Sequence, residues 1–157
     1  MLRFLEEPQI GESWLRIGGA ATLKSYGISA APGSRTPDEL VRLSDALRAA
    51  MPSGHLSFLQ GLALWHRVGD YVFVHAGIRP GIPMAQQVPR DLLWVRGPFL
   101  RAWRCHDAVV VHGHSAHRTP QVRHNRIGID TGAYLTDRLA CLVLRGREQR
   151  FLFIESP

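Results

Sequence analysis

Lysine is almost missing from this chain. Lys24 is the only one in 157 residues, and arginine carries the rest of the positive charge behind a net +6. A nucleic-acid footprint needs basic residues gathered in a run or on one face. Here the arginines are spread from Arg3 to Arg150 without a dense cluster, so a nucleic-acid partner is not expected. Cysteine is nearly as scarce. Cys105 and Cys141 cannot build the disulfide framework of a small secreted domain, which favours a reducing, cytoplasmic setting. No apolar run approaches the roughly 20 residues of a membrane span, and Met1-Leu2-Arg3-Phe4 lacks a signal-peptide core, so no membrane partner is expected. Internal repeats and low-complexity segments are absent too. What remains, 45% apolar and 20% charged residues, is the composition of one globular domain over residues 1–157.

Helical signals fill residues 1–69. Residues 2–7 look like the tail of an amphipathic helix stopped by Pro8, and the Gly18-Gly19 break precedes a short helical patch ending at Gly27. Residues 30–35 have loop composition. Thr36, Pro37 and Glu39 then form a capping box with proline at the first helical position, and Leu40, Leu43 and Leu47 follow at helical spacing until Pro52. A second helix is expected over 56–62. Val68-Gly69-Asp70 has turn chemistry that would join an apolar segment to Tyr71–His75 as a hairpin.

Residues 70–157 read mainly as strands. Gly77, Pro80, Gly81, Pro83 and Pro89 mark a loop over 77–90, and 91–103 suggests irregular helix. A central strand covers Val109–His112, and 118–125 reads as a polar loop. Short strands follow over 127–130, 139–144 and 151–154, the last two joined by a turn at 145–148. The fold class is α/β.

The sharpest signal is a repeated build. Val109-Val110-Val111-His112-Gly113-His114-Ser115 and Tyr71-Val72-Phe73-Val74-His75-Ala76-Gly77 are both apolar strands that run into histidine and glycine. Strands that deliver imidazoles to loops at one sheet edge make His75 and His114 candidate metal ligands, since neutral imidazole suits borderline divalent ions. His112, two residues from His114, could chelate with it. The Gly113 turn favours the other arrangement, in which His112 supports the site from behind through a hydrogen bond. Arg96 follows Trp94-Val95 in an apolar window and suits a bidentate phosphate clamp, though the residues alone favour an ordinary surface arginine. Asp130 precedes Thr131-Gly132, where turn capping is the simplest role.

Taken in order, four stretches resemble a known family. Phe73-Val74-His75-Ala76-Gly77, Leu92-Leu93-Trp94-Val95-Arg96, Val111-His112-Gly113-His114-Ser115 and Ile129-Asp130-Thr131-Gly132-Ala133 are similar to motifs of calcineurin-like metallophosphoesterases. The nearest likeness is to bacterial serine/threonine protein phosphatases of the PPP type. The resemblance implies the later half of a four-layer α/β/β/α sandwich. It also implies two divalent ions (manganese, with iron or zinc as alternatives) and hydrolysis by a metal-activated water. His75 and His114 match metal ligands, Arg96 matches the arginine that binds substrate phosphate, and His112 and Asp130 would support them from outside the coordination sphere.

The family's earlier motifs, G-D-x-H-G, G-D-x-x-D-R-G and G-N-H-[ED], have no counterpart in this chain. The expectation is therefore a C-terminal portion of such an enzyme. It would hold at most one ion weakly, be inactive alone, and associate through an exposed sheet edge. Its ancestral substrate would be phosphoserine or phosphothreonine in proteins. Within the same class the alternative is hydrolysis of a phosphorylated small molecule, a dinucleoside polyphosphate. Outside that class stand a non-catalytic remnant or binding module, and a basic nucleic-acid-binding domain.

Overall fold

The computed structural model describes residues 1–155 apart from Ala31, Pro32 and Ser34. The loop expected over 30–35 thus lies partly outside the described residues. The chain divides into two compact units, Met1–Leu62 and Ala63–Pro157.

The first unit is helical. Short helices α1 (Leu2–Glu6), α2 (Gly11–Trp14) and α3 (Ala20–Ser25) precede two longer ones, α4 (Pro37–Ala50) and α5 (Ser53–Gln60). The capping box forms as its spacing requires: the Thr36 hydroxyl accepts from the Glu39 amide, and the Glu39 carboxylate accepts from the Thr36 amide at 2.7 Å. Leu40 and Leu47 turn the buried stripe of α4 onto Phe4, Leu5, Leu15 and Leu23. Gly11 is required where α2 crosses this core, because a Cβ there would stand 2.6 Å from Leu40 and 2.8 Å from Phe4. Ser44 and Arg48 donate to the carbonyls of Phe4 and Leu5, tying α4 back to α1.

The second unit holds the sheets. Strands β1 (Trp65–Val68), β2 (Tyr71–Val74), β3 (Val109–His112), β4 (Gln121–Val122) and β5 (Arg126–Gly128) form one sheet in the order β1-β2-β3-β5-β4. The three inner strands run parallel and each edge strand is antiparallel to its neighbour. β3 is buried along most of its length, as its run of valines requires of a central parallel strand. Helices α6 (Pro89–Trp94) and α7 (Gly97–Leu100) cross from β2 to β3 and pack Leu92, Val95 and Phe99 on Val74 and Val110. A short helix α8 (Ala133–Thr136) leads to a separate hairpin of β6 (Arg138–Arg145) and β7 (Glu148–Glu155).

The α/β class, the β1–β2 hairpin and the final hairpin match the sequence expectations. Three details differ. The polar stretch 118–125 contains β4, because Gln121 and Val122 pair with Gly128 and Ile127. β5 ends at Gly128, so Asp130 lies beyond the strand rather than at its end. The residues after Gly132 turn into α8, entered and left through left-handed conformations at Gly132 and Asp137.

Candidate metal and phosphate site

The parallel strands deliver their loops to one edge, the carboxyl end where open α/β sheets bind ligands. His75 directly follows β2, and its carbonyl accepts from the Gly113 amide at 2.8 Å, extending the β2–β3 pairing one step past the strands. His114 sits in a three-residue turn closed by the Ser115 amide on the Gly113 carbonyl at 2.7 Å. Its φ of 62° puts a non-glycine residue in the left-handed region, the strained form of such a turn. The effect is to bring His75 Nε2 and His114 Nδ1 to 3.2 Å. His75 is exposed and His114 half-buried. Among the described residues no group of three or more His, Cys, Asp or Glu side chains gathers in a metal-binding arrangement.

The electrostatics favour the neutral form of one of these imidazoles. Burial lowers the His114 pKa below its ordinary value; the Arg96 charge and His75 push the same way, with Asp130 opposing. A neutral ring leaves a lone pair free for a cation. Arg96 is exposed, forms no ion pair among the described residues, and stands near enough for its charge to act on His114. The Trp94 indole meets the His114 ring edge-on at 5.5 Å and fixes its tilt.

His112 has a different surrounding. It is 3% exposed, and its Nδ1–H donates to the Gly113 carbonyl at 3.1 Å, the same oxygen that closes the His114 turn. Its Nε2 has no partner among the described residues, and burial, as the largest influence, lowers its pKa. The ring stands edge-on to Phe99 at 4.9 Å, with Gly128 beneath; a Cβ at 128 would come within 3.3 Å of the imidazole. His112 thus packs against Phe99 and Gly128 and holds the His114 turn through the Gly113 carbonyl. Asp130 uses Oδ1 to accept from the Gly132 amide at 2.9 Å, a turn-capping bond, while Oδ2 lies on the Gly113 side.

Several residues that shape this edge do so through contacts distant in sequence. Phe99 is fully buried, and a Cβ on Gly77 would come within 2.3 Å of its ring, so that turn needs glycine, whose φ is 147°. Asp91 receives both Nε and Nη2 of Arg79 at 2.7 and 3.0 Å, and Gln87 bonds the backbone of Arg79 and Ile82. Together they tie down the long loop after β2.

No protein-family model and no curated protein matches this sequence. Among solved structures the chain resembles one described as "Crystal structure of a putative diadenosine tetraphosphatase". The two are 22% identical with a TM-score of 0.59, over 87% of this chain and 72% of that one. At this identity the likeness concerns the fold alone, a mixed α/β arrangement. Among the described residues no helix is long and apolar enough to cross a membrane.

Proposed function

We propose that this chain carries part of the active site of a calcineurin-like metallophosphoesterase, a hydrolase of phosphate esters. One observation carries the reading. Two imidazole nitrogens 3.2 Å apart would be viewed at about 100° by an ion about 2.05 Å from each, an ordinary coordination angle. His75 Nε2 and His114 Nδ1 are the ligands, Arg96 binds the substrate phosphate, and His112 positions His114 through the Gly113 carbonyl. Asp130 shapes the same turn from the Gly132 side. A bound divalent ion, manganese first and iron or zinc as alternatives, supplies a water of lowered pKa and neutralises phosphoryl charge. The fit is to one ion. Two imidazoles with no third ligand gathered beside them among the described residues offer little to a second, so this chain alone binds one ion weakly and hydrolyses esters poorly. A cytoplasmic setting belongs to the same proposal.

For the substrate, the four ordered motifs favour phosphoserine and phosphothreonine in proteins. The structural neighbour favours a dinucleoside polyphosphate. Titrating the whole chain with Mn²⁺, while following imidazole proton resonances, tests the site. Selective broadening of His75 and His114 at one weak equivalent is expected. Broadening centred on other histidines, or two tight ions per chain, would sink it. Comparing release of phosphate from a phosphothreonine peptide with cleavage of diadenosine tetraphosphate separates the two substrate readings.

A further inference from the structure

β1 is the most open part of the main sheet. All four of its residues are exposed, and among the described residues no strand pairs with its outer side. Natural edges are usually guarded by lysine, proline, a bulge or an unpaired charge. β1 has none of these. Its one permanent charge, Arg67, is already engaged, donating to the Gly69 carbonyl at 3.0 Å and to the Asp107 side chain and carbonyl at 3.1 Å each. Around it stand large apolar side chains in water: Leu64 is 39% exposed, Trp65 37% and Val68 57%.

We infer that this edge pairs with the same edge of a second copy of the chain, antiparallel about a twofold axis at His66, making one sheet continuous across a dimer. The register follows from three constraints. First, a two-residue turn, with Gly69 at φ 56° in its first position, makes Val68–Tyr71 a hydrogen-bonded pair and His66–Phe73 the next. The amides and carbonyls of Trp65 and Arg67 are therefore the ones that face outward. Second, a twofold through a sheet keeps its faces, and opposite residues share a face, so the axis must pass through a residue rather than between two.

Third, the side chains choose which residue. An axis at Arg67 would set two guanidinium groups against each other. An axis at His66 places Trp65 opposite the partner's Arg67, where outward backbone groups of both can exchange hydrogen bonds. It also lays the aromatic face beside a cation that Asp107 already holds in place. On the other face it sets Leu64 against Val68, and so covers the apolar surface that water now touches. Five residues from each copy make a contact well below the ~1,000 Å² of a stable interface, so the dimer belongs to the weak, reversible class. This inference does not depend on the metal site.

Sedimentation of the full chain over a concentration series should show a monomer–dimer equilibrium. Val68→Lys, at an exposed position where folding is not at stake, should weaken it at least tenfold. Ile154→Lys, on the equally apolar but separate β7, should leave it unchanged. On a background with Cys105→Ser and Cys141→Ser, His66→Cys should cross-link between copies, because facing residues of a non-hydrogen-bonded pair come within disulfide reach. Val68→Cys should not, since the register holds its two copies about 13 Å apart. A chain that stays monomeric throughout overturns the proposal. So does a dimer indifferent to Val68→Lys, one broken by Ile154→Lys, or a cross-link that forms as readily at 68 as at 66.

Discussion

The two ends of the five-stranded sheet are both rich in histidine, and only one of them looks like a place for chemistry. At the carboxyl end, His75 and His114 aim nitrogens at each other, and the nearby Arg96 carries no ion pair among the described residues. At the opposite end, Asp70, Cys105, His106, Asp107, His124 and Asn125 surround a shallow cavity. Several polar groups there are spent on the protein itself, though the buried His106 Nε2 has no partner among the described residues. His124 Nε2 donates to the Trp103 carbonyl at 2.7 Å, and Asn125 Nδ2 donates to the carbonyls of Ala102 and Arg104 at 2.9 Å each. Asp107 holds Arg67. A crowd of ligand-type residues is therefore no guide by itself; what distinguishes the carboxyl end is two nitrogens converging beside a charge.

The contrast can be attacked at the residue both ends share. Phe99 stacks on His106 at 5.9 Å and stands edge-on to His112 at 4.9 Å. Phe99→Ala should cost about 3–5 kcal/mol, read as a fall in the thermal midpoint of the second unit. A loss below about 1 kcal/mol would mean that the two ends are not joined through this ring. Next in size, Asn125→Ala strips two carbonyls of their donor, and chemical denaturation should show a loss of about 2–3 kcal/mol with no change in metal binding. A sharper cut compares histidines by calorimetry. His75→Ala or His114→Ala should reduce Mn²⁺ or Zn²⁺ affinity by at least about tenfold, or about 1.4 kcal/mol, whereas His124→Ala leaves it in place. Equal losses in all three would erase the distinction.

The smallest effect concerns acid. Burial holds His106 below the ordinary imidazole value of 6.5, with His124 pushing the same way and Asp107 opposing. The unfolded chain then takes up that proton more readily than the folded one. Stability is full above about pH 6.5 and declines as pH falls through the window beneath it. His106→Gln should flatten the decline below about pH 6.5. An unchanged slope would assign it to other groups.

How much of this could be seen in the residues varied with the kind of force involved. Local rules were legible: the capping box at Thr36, the hairpin turn at Gly69, and the two strand-to-histidine boundaries at His75 and His112–His114. The convergence of His75 with His114 followed from the repeated build because parallel strands must end at one edge. The direction of His112 was harder to extract, since it depends on Phe99 and Gly128, each distant in sequence and ordinary by itself. The same holds for Asp91, whose partner Arg79 lies in a stretch that reads only as loop. β4 escaped notice because two polar-flanked residues carry no periodicity; their pairing with β5 is dictated by what β5 needs at its edge.

The left-handed backbone at His114 has an evolutionary consequence. At φ 62° nearly every side chain is disfavoured, and glycine or asparagine would sit there with less strain. Stability alone therefore pulls this position away from histidine, while coordination alone pulls it back. In a lineage that no longer uses the imidazole, drift runs downhill toward glycine or asparagine. Under the proposed ligand role, coordination would hold histidine at this position against that pull, and its replacement would mark the loss of the role.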